Sequence, residues 1–146
     1  MIVRKATTHD LEQLLSLYTH LHDNFMPQID EKIANLWREI IGSPNQYIVV
    51  GTIDDEIISS CVLVIVPNLT NDQRPYALVE NVITKPEHRG RGYALDVLGY
   101  AKDIATKCNC YKIMLMTSSK EEGTLELYRK AGYNMNDKTA FIQWLV

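Results

Sequence analysis

The sequence predicts an α/β chain on a mixed sheet, with elements in the order β-α-α-β-β-β-α-β-α-β. Three observations predict it. Apolar residues recur at helical spacing in four segments, and β-branched or unbroken apolar runs fill six others. The second half alternates strand with helix, as β–α–β crossovers do. The 146 residues, 46% hydrophobic and 23% charged, suit one ordinary domain over 1–146 with a single core.

"MIVRKA" reads as a short first strand. "TTHD" supplies a start signal, Thr7 with Asp10 three residues on, ahead of Leu11, Leu14, Leu15, Tyr18 and Leu21 on one helical face. Ile33, Leu36, Trp37, Ile40 and Ile41 mark a second helix that ends at "GSP". "YIVVGTI" and "EIISSCVLVIV", joined by "DD", predict a hairpin. "PNLTNDQRP" is a turn-rich loop and "YALVENVIT" the next strand. A long helix follows, with Ala94, Val97, Leu98, Ala101, Ile104, Ala105 and Cys108 on its apolar face. "YKIMLMT" is expected to be a strand buried on both faces. A helix around "GTLELYRKAG" closes on Gly132, and "TAFIQWLV" is the last expected strand. Trp37 and Trp144 read as core.

Composition narrows function. A net charge of -3 and pI near 5.8 oppose broad nucleic-acid binding, which needs a basic face. No apolar run approaches the roughly 20 residues of a membrane span. Cys61, Cys108 and Cys110 are odd in number and lack CxxC spacing, so reduced, mostly buried thiols are expected and a disulfide or cysteine zinc site is not. The N-terminus lacks a signal-peptide apolar region, which makes the cytoplasm the expected location. His20 and His22, two apart on a helix, point to different faces and do not suggest a metal; no metal site is expected.

"PEHRGRGYA", residues 86–94, sits where a strand runs into a helix. A plain glycine turn, a local basic patch and a phosphate cradle all fit such a junction. The cradle has a physical basis. A helix N-terminus presents unpaired N–H groups and the positive end of the macrodipole to an anion. Gly90 and Gly92 let the backbone approach a ligand, while Arg89 and Arg91, with Lys85 nearby, add positive charge. A Walker loop is excluded because GK[ST] is missing, and a dinucleotide fingerprint because position 95 is Leu95.

"ENVITKPEHRGRGYALDVLGYA" resembles motif A of the GNAT family of N-acetyltransferases, and "LYRKAGY", Leu127 to Tyr133, resembles its motif B. The two occur in the right order, one helix and one strand apart, and the resemblance spans essentially the whole chain. It implies a GNAT fold and acetyl-CoA as co-substrate, bound in a V-shaped split between the strand before motif A and the strand after it. The backbone of Val82, Ile83 and Thr84 would pair with the pantetheine arm. Arg89, Gly90, Arg91, Gly92, Tyr93 and Ala94 would wrap the pyrophosphate.

Tyr128 falls where the family often places a general acid for the departing CoA thiolate, a role a phenol of pKa about 10 can fill. Glu80, expected to share a strand face with Leu78 and Val82, is the candidate for assisting deprotonation of the amine; Asn81 is a weaker one. The implied reaction is direct attack by a primary amine of a small molecule or peptide in a ternary complex. A cysteine acyl-enzyme has no supporting Cys/His arrangement. A non-catalytic CoA-binding regulatory module is the alternative, and a homodimer is left open.

Glu121 and Thr124 replace residues common in the family, so Ser118 or Ser119 is considered for the CoA contact usually made by an Asn. "NCYKIMLM" with "VEN" is similar to glucosamine-6-phosphate N-acetyltransferases but does not assign an acceptor. Arg74 and Asn71, and Tyr18 and Phe25 on the first helices, are candidates for the acceptor side. His88 reads as an exposed turn residue.

Overall fold

The computed structural model describes residues 1–22 and 24–146. Its strands are β1 (Ile2–Lys5), β2 (Gln46–Ile53), β3 (Glu56–Val66), β4 (Tyr76–Thr84) and β5 (Ile113–Leu115). The helices are α1 (Leu11–Tyr18), α2 (Glu31–Gly42), α3 (Tyr93–Lys107) and α4 (Glu122–Lys130). The sheet order is β1-β2-β3-β4-β5. Neighbours are antiparallel except β4 and β5, which are parallel because α3 crosses between them.

Local chemistry accounts for these elements. The Thr7 N–H and hydroxyl both donate to the Asp10 carboxylate, closing a short 3-10 turn that leads into α1. Arg4 of β1 grips the same carboxylate through two bonds, at 2.7 and 2.9 Å. Asp30 caps α2 by accepting from the Ile33 N–H. Asp54 and Asp55 take φ of +49° and +65°, the left-handed pair that a tight hairpin turn between β2 and β3 requires.

Two apolar clusters cover the two faces of the sheet. Val97, Leu98, Ala101, Ile104 and Ala105 of α3 pack on Val49, Cys61, Leu63, Ala77 and Val79. Leu14 and Leu17 of α1, with Trp37 of α2, pack on Ile48, Val50, Ile57, Val62 and Ile83. The expected apolar face of α3 is thus the buried one. Among the described residues, no helix is long and apolar enough to cross a membrane.

Four expectations are corrected. "TAFIQWLV" forms no strand, because a strand exists only against a neighbouring backbone and, among the described residues, none pairs with it. Trp144, in that segment, is accordingly 75% exposed rather than core. β5 covers only Ile113–Leu115 and is half-buried, since it is the last strand of the sheet and one edge is open. Arg74 is not free for an acceptor: its guanidinium donates to the Asn109 and Cys110 carbonyls, fastening the chain where α3 ends.

Candidate active site

The site is built by the parting of two strands. β4 and β5 pair only at Ala77–Ile113, Leu78–Met114 and Val79–Leu115, while β4 continues to Thr84. From Glu80 onward the β4 backbone therefore has no partner on that side, and a cleft opens between it and the chain beyond Leu115. Pairing with β3 is irregular at the same point. Val62 opposes Glu80 and Ser60 opposes Ile83, so Asn81 and Val82 together face Cys61. That extra residue is a bulge, and Asn81 carries it with φ of +50°. Asparagine is among the few side chains that tolerate this region.

The bulge resets which way the strand faces. Ala77 and Val79 pack on the α3 side; Val82 does too, while Ile83 turns to the α1/α2 side. Glu80 therefore does not share a face with Val82, contrary to the regular-strand expectation, and it is exposed. The sequence signal for this was the Asn in mid-strand.

At the end of β4 the chain makes a 3-10 turn, Pro86–His88, and enters the glycine loop. Gly90 and Gly92 take φ of +75° and +82°, and none of the described residues lies within 4 Å of where a Cβ would stand on either. Gly92 is the N-cap of α3, with no side chain bonded to the free N–H groups of the first turn. The α3 N-terminus thus presents unpaired, positively polarised N–H groups beside open space. The Arg89 Nε–H donates to the Thr84 carbonyl at 3.1 Å, tying the loop back to the strand. Arg91 is exposed. Lys85 is ion-paired with Glu56, so its charge is already engaged. His88 lies obliquely near Tyr93, and its Nδ1 is buried, with no partner among the described residues, rather than exposed.

Tyr128 comes from α4. That helix ends in a reciprocal pair of backbone bonds: Tyr133 N–H to the Tyr128 carbonyl, and Gly132 N–H to the Arg129 carbonyl. Gly132 at φ +93° makes this Schellman ending possible, which is the physical content of "LYRKAGY". Tyr133 stands edge-on to Tyr128, ring centroids 6.3 Å apart. Tyr128 packs on the α3-side cluster, and burial above all pushes its phenol up, with smaller contributions from Cys61 and from Glu80. Of the two residues singled out as catalytic, Glu80 thus acts on the Tyr128 phenol and raises it.

On the other side of the sheet, the Tyr18 hydroxyl is buried with no hydrogen-bond partner among the described residues. Ser60 and Asn81 are its neighbours, but neither completes a bond; the Ser60 hydroxyl donates to the Val49 carbonyl instead. Burial drives the Tyr18 phenol up to about 12. The Cys61 thiol, also by burial, is pushed up to about 12 and is no ready nucleophile. Thr84 exchanges a hydrogen bond with Ser59 at 2.8 Å, which fixes the end of β4. Ser119 accepts from the Glu121 N–H and so starts α4, while Ser118 is exposed beyond β5.

Comparison with known proteins agrees with this arrangement. A family model described as "Acetyltransferase (GNAT) family" matches residues 11–133. A glucosamine 6-phosphate N-acetyltransferase of Trypanosoma brucei brucei is 29% identical over 82 residues, 56% of this chain and 54% of that protein. The match therefore spans about half the length of the curated relative. A solved protein of Agrobacterium tumefaciens str. C58, provisionally designated an acetyltransferase, is 33% identical with a TM-score of 0.90, covering 99% of this chain and all of that one. The Arabidopsis thaliana glucosamine-6-phosphate N-acetyltransferase shares the fold, with a TM-score of 0.85 at 17% identity over 99% of this chain and 98% of that one.

Proposed function

Because the chain belongs to the GNAT acetyltransferase family, whose members use acetyl-CoA, we propose that residues 1–146 form one N-acetyltransferase domain. It moves the acetyl group of acetyl-CoA to a primary amine of a small molecule or peptide. The observation that carries this reading is the parting of β4 from β5 after Val79, with the glycine loop at the mouth and Tyr128 on the neighbouring helix.

Each part has a role in that reading. The unpaired backbone of Val82, Ile83 and Thr84 takes the pantetheine arm as an added strand would be taken. Arg89, Gly90, Arg91, Gly92, Tyr93 and Ala94 hold the pyrophosphate by main-chain N–H groups and charge. The amine attacks the thioester carbonyl directly. Glu80, exposed at the bulge, assists loss of the ammonium proton, directly or through water. Tyr128, its phenol held protonated by burial, gives a proton to the thiolate that leaves. The three cysteines are unpaired, as suits action in the cytoplasm.

Two measurements test the proposal. Acetyl-CoA at millimolar concentration should raise the melting temperature through linkage to the native state. Thiol release is then screened over amino sugars, polyamines, amino acids and peptides. A folded protein that shows no thermal shift has no cofactor site of this kind. A shift without thiol release from any amine class favours the regulatory module instead.

A further inference from the structure

Glu80, Asn81, Tyr18 and Ser60 meet at the β4 bulge, on the α1/α2 face of the sheet. Register fixes the face for two of them. Opposed residues of an antiparallel pair share a face, and Glu80 opposes Val62 while Ser60 opposes Ile83. Val62 and Ile83 both belong to the cluster under α1 and α2, so Glu80 and Ser60 point to that side. Tyr18, the last residue of α1, packs on the same cluster. Its hydroxyl reaches the bulge, with Ser60 and Asn81 as neighbours.

These groups differ in what they can take. The Glu80 carboxylate is exposed and belongs to none of the ion pairs among the described residues. It suits the ammonium of an incoming amine. The Tyr18 hydroxyl is buried, unbonded among the described residues, and neutral, since burial pushes its phenol up to about 12. A buried hydroxyl left unbonded is costly, so a ligand atom that bonds it is favoured. Asn81 adds an exposed carboxamide with donor and acceptor atoms, and the Ser60 oxygen, whose proton goes to the Val49 carbonyl, keeps a lone pair. Together the three donate and accept without charge. α1, β3 and β4, which build this corner, contain no Lys, Arg or His. A carboxylate or phosphate placed here would meet Glu80 and find no counter-charge on those elements. A hydroxyl, which donates and accepts at once, fits.

We propose that this corner binds a 1,2-amino alcohol, with Tyr18 and Asn81 holding the hydroxyl while Glu80 meets the adjacent amine. This rests on the acetyl-transfer reading, within which Tyr18 and Asn81 become the residues that select the acceptor. Adjacency of the two ligand groups follows from the backbone. Glu80 and Asn81 are consecutive, and a regular strand would send their side chains to opposite faces. The bulge at Asn81, φ +50°, brings both to one face. A plain amine leaves the Tyr18 hydroxyl unbonded. An α-amino acid brings a carboxylate to a corner whose own charge is negative.

The test uses trans-2-aminocyclohexanol and cyclohexylamine, which differ only by the hydroxyl. At saturating acetyl-CoA, thiol release should give the wild type a kcat/KM about tenfold or more in favour of the amino alcohol, with the difference carried by KM. Tyr18→Phe should bring that ratio close to one. So should Asn81→Gly, which removes the carboxamide and keeps the left-handed backbone. Because the ratio is taken within each protein, any loss of folded material cancels. A wild-type ratio near one overturns the inference, as does a ratio that survives either substitution. Glycinamide, with a carbonyl beside its amine, doing as well as the amino alcohol overturns it too. Thiol release from other amines but from neither ring compound overturns it and leaves acetyl transfer intact. Thiol release from no amine class overturns the acetyl-transfer reading, and this inference with it.

Discussion

Arg89 is joined to Thr84 by a 3.1 Å bond from its Nε–H to the strand's last carbonyl, so the first basic residue of the glycine loop is anchored by the strand that forms the cleft. Only the Nε position is spent, leaving the terminal nitrogens of the guanidinium to meet an anion. Lysine keeps the charge but has no second donor site to be held by. Arg89→Lys should therefore weaken acetyl-CoA binding about tenfold, near 1.4 kcal/mol, measured by titration calorimetry. Unchanged affinity would show that the anchoring of this charge to Thr84 is irrelevant to the cofactor.

The glycines of the chain separate strain from space. A Cβ on Gly92 meets nothing within 4 Å, but φ there is +82°. Gly92→Ala should cost about 1–2 kcal/mol through backbone strain alone, read as a lower denaturant midpoint. Gly99 lies inside α3 with equally open surroundings and no unusual φ. Gly99→Ala should therefore stabilise by about 0.5–1 kcal/mol. If both substitutions moved stability the same way, the left-handed cap would not be strained as described.

Asp10 makes stability depend on acid. Its carboxyl is held down at about 2, by the Arg4 hydrogen bonds first, with burial opposing and Thr7 assisting. An unfolded aspartate titrates near 3.9. The folded state therefore binds this proton less readily, so the contribution is present above about pH 4 and is lost as pH falls toward 2. Because the Arg4 side chain is 37% exposed, the contribution is on the order of 1–2 kcal/mol. Urea midpoints at pH 7 and pH 3 should fall more for wild type than for Asp10→Asn. Parallel losses would show that the pair does not report on folding.

Much of the fold was legible because its devices are local. Thr7 with Asp10, the Asp54–Asp55 turn and the Gly132 helix ending each lie within a few residues, and each formed. The expected face of α3 is the buried one for the same reason. What sequence reading missed depends on neighbours distant in sequence. The Asn81 bulge arises from pairing with β3, and it moved Glu80 off the face it was expected to share with Val82. "TAFIQWLV" has strand chemistry, but whether it becomes a strand depends on a partner backbone that local pattern cannot supply. The cleft was foreseen through resemblance, yet its opening at Val79 is a matter of register. Arg74 and Lys85 were offered to ligands, whereas the fold uses one to fasten the end of α3 and the other to pair with Glu56.

Two tyrosines on opposite faces of the sheet make a paired test of the site. Tyr128 is proposed to donate a proton, and burial keeps its phenol protonated. Tyr128→Phe should cut turnover about 10²-fold or more while leaving acetyl-CoA affinity largely as it was. With the phenol pushed upward, no loss of rate from its ionisation should appear below pH about 10. Tyr18 differs, because its buried hydroxyl bonds to nothing among the described residues. Removing an unsatisfied hydroxyl relieves a desolvation cost, so Tyr18→Phe should leave stability unchanged or raise it by about 1 kcal/mol. Denaturant midpoints check the second variant and steady-state kinetics both. If the Tyr18 hydroxyl contacts the bound amine, its loss raises KM with kcat preserved. A fall in kcat for Tyr18→Phe but not for Tyr128→Phe would move the proton donor to the other face of the sheet.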